Sequence, residues 1–185
     1  MEANDEHLIT SWREALTHDL SLICRVSDDE RSAGFISFCE GLTRVAPAVR
    51  VTRKTLDDEA GLPGIEVSEH LVYHAVPQGP ELPPFLDLLS LLDSGKPRLS
   101  EEIMPGLDQL KTPCMLKLFI APQCPFCPKS VKDFTPLPLA NPWVHLKVID
   151  GTLFPEMAAA LSIRSAPTLV YDDRMRWTGY VRPQE

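Results

Sequence analysis

Ala121-Pro122-Gln123-Cys124-Pro125-Phe126-Cys127-Pro128 places two cysteines three positions apart, directly after the apolar run Met115-Leu116-Lys117-Leu118-Phe119-Ile120. The next residues, Lys129-Ser130-Val131-Lys132-Asp133-Phe134, can continue as a helix. The stretch therefore reads as strand, tight turn, helix, with both sulfurs at the turn. A helix N-terminus presents unpaired N–H groups and the positive end of the macrodipole, so a thiol there ionises more readily than a free one. Pro125 suits the first helical turn, where a missing N–H costs nothing. In this arrangement Cys124 is the exposed nucleophile. Cys127, about one turn further in, is placed to attack a mixed disulfide formed on Cys124. The same spacing also serves as half of a zinc site. Structural zinc takes four ligands, and the nearby candidates Cys114 and His145 stand at no recognised spacing.

Outward from the pair, the second half of the chain alternates strand and helix. Cys114–Ile120 is a strand and Pro125–Phe134 a helix. A second strand runs over Trp143–Ile149, and Thr152 can cap a helix to Leu161. Thr168–Tyr171 and Met175–Tyr180 flank the turn Asp172-Asp173-Arg174 as a hairpin. The first half runs through the same order: a helix over His7–Leu20, a strand over Leu20–Val26 and a helix over Glu30–Val45. Then come a strand at Ala48–Thr52, an acidic loop or short helix at Thr55–Gly61, and a hairpin of Gly64–Val67 with Leu71–Val76. A helix over Pro83–Leu92 closes the half. Gly95-Lys96-Pro97-Arg98 breaks the pattern. After it Ser100 can cap a further helix, with Ile103, Leu107 and Leu110 as its apolar stripe and Pro105 kinking it. Two passes through one element order imply an internal duplication of fold, with units at 1–98 and 99–185. A final helix matching Pro83–Leu92 does not appear before Glu185 in the second pass.

The 185 residues are 44% hydrophobic and 24% charged, which fits a globular protein of one large or two small domains. Residues 1–105 carry 9 Lys and Arg against 19 Asp and Glu, a balance of −10. Residues 106–185 carry 9 against 7, a balance of +2, and the two halves total the chain's −8. An acidic body with a near-neutral reactive half argues against nucleic acid and fits protein substrates. The opening Met1-Glu2-Ala3-Asn4-Asp5-Glu6 lacks the basic and apolar regions of a secretory signal, and no apolar run approaches the ~20 residues of a membrane span. The expected location is the cytoplasm, with no membrane partner, where a Cys-x-x-Cys pair is redox-active or metal-binding. Cys24 and Cys39 fall on inward faces and read as small buried hydrophobes. Cys114 begins a strand. Lys129 and Lys132 read as a solvated helix face, although either charge could favour a Cys124 thiolate.

Cys124-Pro125-Phe126-Cys127 after a strand, with Ala166-Pro167-Thr168 some forty residues later, resembles the thioredoxin-like superfamily. The resemblance implies two tandem thioredoxin-like folds, each a central mixed β-sheet flanked by helices. The first lacks a cysteine pair and the second carries the redox couple. It also implies a cis peptide before Pro167, a rare state for an X–Pro bond, beside the disulfide. The backbone of Ala166 is then free to pair with an extended substrate. Pro125, Phe126, Ala166 and Pro167 follow as substrate-contacting residues around the catalytic Cys124 and Cys127. The doubled arrangement is similar to the N-terminal unit of alkyl hydroperoxide reductase flavoproteins and to protein disulfide oxidoreductases, with Val148–Thr152 and Ile163–Thr168 as further matching stretches.

That resemblance implies thiol–disulfide exchange with protein disulfides, a peroxiredoxin among them. Electrons would come from a separate flavoprotein or a thioredoxin-reductase-type donor, and the chain would carry no cofactor or metal of its own. A non-autonomous electron-relay module working beside a flavoprotein and a structural zinc domain are the alternatives. Two departures stand out. Many relatives place a buried carboxylate near the second cysteine, whereas the strand before this pair has none and carries Lys117, so the resolving step relies on water or another base. Ser165 stands where relatives often have Gly.

Overall fold

Apolar alternation places the strands. In β1 (Leu20–Val26) Leu20, Leu22, Cys24 and Val26 are buried while Ser21 is exposed. In β5 (Cys114–Ile120) Cys114, Leu116 and Leu118 repeat that rhythm before a fully buried end. The computed structural model describes residues 1–56, 61–95 and 99–185. The remaining elements are α1 (Ala3–Arg13), α2 (Ser32–Val45), β2 (Val49–Thr55), β3 (Gly64–Ser68), β4 (Leu71–His74), α3 (Leu82–Ser94), α4 (Met104–Gln109), α5 (Cys127–Phe134), α6 (Leu137–Ala140), β6 (Val144–Asp150), α7 (Pro155–Ala160), β7 (Thr168–Tyr171) and β8 (Met175–Thr178). A short 3₁₀ turn, Gly79–Glu81, leads into α3.

The internal duplication is written in the strand pairing. β1 runs parallel to β2 and antiparallel to β3, which pairs antiparallel with β4. β5 runs parallel to β6 and antiparallel to β7, which pairs antiparallel with β8. Even the register repeats: Cys24 faces Ile65 and Ile65 faces Tyr73, as Leu118 faces Leu169 and Leu169 faces Trp177. The sequence implies a separate sheet for each half. The structure joins them, because β4 pairs parallel with β6 and makes one sheet of order β2-β1-β3-β4-β6-β5-β7-β8. A backbone edge left unpaired at either strand would compete for other partners, and joining removes both edges.

Helices cover the joint. α3 packs against β1 of its own half and against α5 of the other. Phe35, Phe38, Cys39 and Leu42, at the i, i+3, i+4 and i+7 spacing, are all buried on α2, and each such side chain contributes roughly 1.5–3 kcal/mol by leaving water. At the other end of the joint, Arg31 sits 4.2 Å over the Phe154 ring and donates to Leu153 O at 3.0 Å and Glu156 Oε1 at 2.6 Å.

Several local expectations shift. The first helix covers Ala3–Arg13 and not His7–Leu20, because the backbone N–H groups of Thr17 and His18 and the Thr17 hydroxyl bond the Asp93 carboxylate at the end of α3. Ser100 does not cap α4: that helix starts at Met104, and Pro105 lies in its first turn, where it opens the helix without kinking it. Thr152 does not cap α7 either. Its hydroxyl and N–H donate to Asp150 Oδ1 at 2.7 and 2.8 Å, and α7 begins at Pro155. The reading of Thr55–Gly61 falls largely on 57–60 and the proposed break on 96–98, both outside the described residues.

Candidate active site at the Cys124–Cys127 turn

The chain leaves β5 at Ile120 and turns twice. Cys124 N–H donates to Ala121 O at 3.0 Å, and Cys127 N–H reaches Cys124 O at 3.4 Å. α5 opens at Cys127, with Pro128 and not Pro125 in its first turn. The helix thus begins two residues later than expected. The Cys127 N–H closes a turn on Cys124 O ahead of the helix, and Pro128 falls in the first helical turn, where its missing donor is harmless. Cys124 lies outside the helix and Cys127 is its first residue. The two are joined in a disulfide with Cα atoms 5.4 Å apart. Cys127 is fully buried, whereas Cys124 is half-buried at the surface. Phe126, between them, is 61% exposed, an unusual position for an aromatic ring without a partner. Pro125 is exposed beside it.

The Ala166–Pro167 peptide is cis. The antiparallel register that sets Thr168 opposite Phe119 brings Ala166 and Pro167 to the end of β5, where the cysteine turn departs. Thr168 Oγ1 donates to Ser165 O at 2.8 Å and Gly179 N–H to Pro167 O at 2.8 Å, which fixes both flanks. Ala166 takes part in no backbone hydrogen bond among the described residues. It borders a cavity of about 240 Å³ lined also by Phe119, Ala121, Gly151, Ile163 and Arg164. The residues singled out in sequence, Cys124, Pro125, Phe126, Cys127, Ala166 and Pro167, therefore gather at one end of β5 and β7.

Three lysines of this half are each held by a carboxylate. Lys129 Nζ bonds Asp133 Oδ2 at 2.7 Å and Tyr180 Oη at 2.6 Å, and Lys132 pairs with Asp87 at 2.7 Å. Lys117 is drawn to Asp173 at 2.7 Å. Cys24, Cys39 and Cys114 are buried free thiols, and burial raises all three above the ordinary thiol range. His145 packs edge-on to His70, with ring centroids 4.7 Å apart. Among the described residues, no three His, Cys, Asp or Glu side chains gather as metal ligands.

One group escaped the sequence reading. Glu81, in the turn ahead of α3, is 6% exposed and neither carboxyl oxygen has a hydrogen-bond partner. Its turn packs on α5, the helix that Cys127 opens. Burial, with the Asp150 charge adding to it, pushes its carboxyl up to about 7. It comes from the other half of the chain. The only local hint is a lone acid in Gly79-Pro80-Glu81-Leu82-Pro83-Pro84, a run otherwise without charge.

Residues 115–185 match the family model described as a thioredoxin domain. The NTD_N/C domain of the alkylhydroperoxide reductase AhpF from Enterococcus faecalis superposes with a TM-score of 0.84 at 17% identity, over 100% of this chain and 97% of that one. A protein disulfide oxidoreductase from Aeropyrum pernix superposes at 0.79 and 12% identity, over 93% and 84%. The chain has a tandem thioredoxin-like fold. Of its two thioredoxin-like units, the second holds the disulfide. Among curated relatives, a protein named NADH dehydrogenase from Bacillus subtilis is 17% identical over the whole chain, and one of the same name from Ferdinandcohnia aciditolerans is 18% identical. The chain spans 37% and 36% of their lengths. No helix among the described residues is long and apolar enough to cross a membrane.

Proposed function

We propose that this protein is a thiol–disulfide oxidoreductase that exchanges electrons with protein disulfides through Cys124 and Cys127. The observation that carries the reading is the unequal burial of the two bonded cysteines at the turn that leads into α5. A substrate sulfur can reach Cys124 and cannot reach Cys127. In the reducing direction, the Cys124 thiolate attacks a partner disulfide, forming a mixed disulfide and releasing one partner thiolate. Cys127 then gives up its proton and attacks Cys124 Sγ. The second partner thiolate leaves, the partner is reduced by two electrons, and the chain ends oxidised. Phe126 and Pro125 form the exposed face against which the partner rests, and the unpaired backbone of Ala166 aligns its extended segment beside Pro167. Glu81 is the proton acceptor for Cys127. It is buried in a turn that packs on α5, and burial pushes its carboxyl up to about 7, the range that suits a general base.

The first unit, residues 1–98, then supplies a base and a docking body to the dithiol of the second, residues 99–185. A peroxiredoxin is one candidate substrate, and a flavoprotein or a thioredoxin-reductase-type enzyme supplies the electrons. Three free cysteines besides the pair suit a reducing compartment such as the cytoplasm. A Cys127→Ser variant tests the reading: it should accumulate covalent complexes with its substrate through Cys124. A purified chain whose pair does not cycle between dithiol and disulfide sinks it. A second reading, a relay module that works only beside a flavoprotein, is favoured by the fraction of its curated relatives that the chain spans. Turnover of a protein disulfide with a thioredoxin-reductase-type donor alone separates the two.

A further inference from the structure

The strand register carries one row of residues across the joined sheet: Glu66 on β3, Val72 on β4, Lys147 on β6, Lys117 on β5, Val170 on β7 and Arg176 on β8. Successive side chains of a strand point to opposite faces. Tyr73, beside Val72, lies against Phe85 of α3 with ring centroids 5.2 Å apart, so the row looks out from the other face of the sheet. It holds three cations and one acid, in a chain whose formal charge is −8. Lys147 and Lys117 stand directly opposite each other on adjacent central strands, and like charges so placed are destabilising. Burial, then the charges of Lys117 and of Arg25 on β1, lower the Lys147 ammonium from its ordinary range. The acids close by are already engaged: Glu66 stands 4.0 Å from Arg25, and Asp173 holds Lys117 at 2.7 Å. Among the described residues Lys147 makes no ion pair, and Arg176 donates to the backbone carbonyls of Leu161 and Ser162 at 3.0 and 3.3 Å.

We propose that this face of the sheet is the docking surface for an acidic partner protein, whose carboxylates pair with Lys147, Lys117 and Arg176. Charge complementarity is the first ground: the cations face one another at a cost that an anionic surface removes, and the chain's own acids there are spent. The shape of the row is the second. Six strands spaced by roughly 4.8 Å give it a width of about 24 Å. A partner burying ~800 Å² in an interface of ordinary size covers a patch of about that width. Val72 and Val170 set apolar points between the cations, a mixture that suits a protein surface better than a phosphate backbone. The row exists only in the joined sheet, because β4 brings Val72 from one unit and β6 brings Lys147 from the other. Lys117 lies three residues before the end of β5, from which the cysteine turn departs, so a partner held here sits beside the dithiol. The inference does not rest on the chemistry of that dithiol.

The test titrates the whole chain with polyglutamate of about 20 residues, longer than the row when extended, and follows the backbone amides by NMR at low salt. Amides of β4, β5, β6 and β8 along the row should shift, and added salt should reverse the shifts. Lys117→Gln with Lys147→Gln should weaken binding by at least about tenfold. Because it also removes a facing like charge, this pair should leave the unfolding midpoint no lower than the native one. Asp173→Asn frees Lys117 from its own acid and should tighten binding by about threefold. Should the double variant fail to fold, this second variant decides alone. Shifts confined to other surfaces, or native affinity in the double variant, overturn the proposal, as does unchanged affinity in Asp173→Asn. A short DNA duplex or phosphatidylserine vesicles binding this face more tightly than polyglutamate would also overturn it, and would assign the face to nucleic acid or to a membrane surface.

Discussion

The turn after β1 and the turn after β5 occupy the same place in the two units, and only one of them holds a disulfide. In the second unit the first residue of α5 is Cys127, bonded to Cys124. In the first unit the first residue of α2 is Ser32, also buried. Its hydroxyl accepts from Ser27 N–H at 3.0 Å and donates to Ser27 O at 2.9 Å. Arg31 closes the rest of that turn against Asp29 and reaches across to Phe154 and Glu156. A helix start facing the end of a central strand is thus a neutral scaffold. With two thiols it supports exchange, and with a hydroxyl and an ion pair it clamps one unit to the other.

The largest effect that would break this contrast is chemical. Cys124→Ser should lower reduction of a model protein disulfide by at least about 10³-fold, because a serine hydroxyl at neutral pH does not replace a thiolate. Ser32→Ala, at the matching place, should leave that rate unchanged and cost about 1–2 kcal/mol in urea unfolding. Equal effects on rate would show that the two turns are not divided in function. Arg31→Ala comes next. It removes the guanidinium from the Phe154 ring and from two carboxylates, and should destabilise the fold by about 1–3 kcal/mol with turnover retained.

The pH dependence of stability sharpens the comparison further, since each of two buried groups has a slope of opposite sign. Burial lowers His74 from 6.5 to about 4. Between those values the unfolded chain binds more protons, so His74 makes stability fall as pH drops from 6.5 to 4. Glu81 is raised from 4.5 to about 7, so the folded chain binds more protons and stability falls as pH rises through that window. The slopes oppose one another over the shared range. Glu81→Gln should unmask the His74 slope, at most about 1.4 kcal/mol per pH unit, as unfolding free energies at successive pH values will show. A variant with the native profile would count against the buried carboxyl. The smallest effect belongs to the exposed Lys132–Asp87 pair between α5 and α3, where Lys132→Ala should cost less than about 1 kcal/mol.

Much of the fold was legible because its signals are local. Strand alternation at Leu20–Val26 and Cys114–Ile120 and the helical spacing of Phe35, Phe38, Cys39 and Leu42 lie within single elements, so neighbours along the chain suffice to place them. The hairpin at Asp172-Asp173 was legible for the same reason, and both residues adopt positive φ there. Readings failed where a distant side chain took over a local role. Asp93 captured Thr17 and His18 and shortened α1, and Asp150 engaged Thr152 before it could cap α7. The buried acid in the turn that packs on α5 is the clearest case. No residue of β5 supplies one, and Glu81 arrives from more than forty positions upstream.

Taken alone, the order of residues determined the cysteine turn, the helix behind it and the doubled succession of elements, because a dithiol three residues apart and a periodic apolar face need only neighbours along the chain. Tertiary structure decided which sulfur meets solvent, that β4 and β6 join two sheets into one, and that the turn carrying a buried carboxyl of the first unit packs on the helix of the second. Burial and electrostatic environment are properties of the packed whole, and a group's ionisation follows from what surrounds it in space.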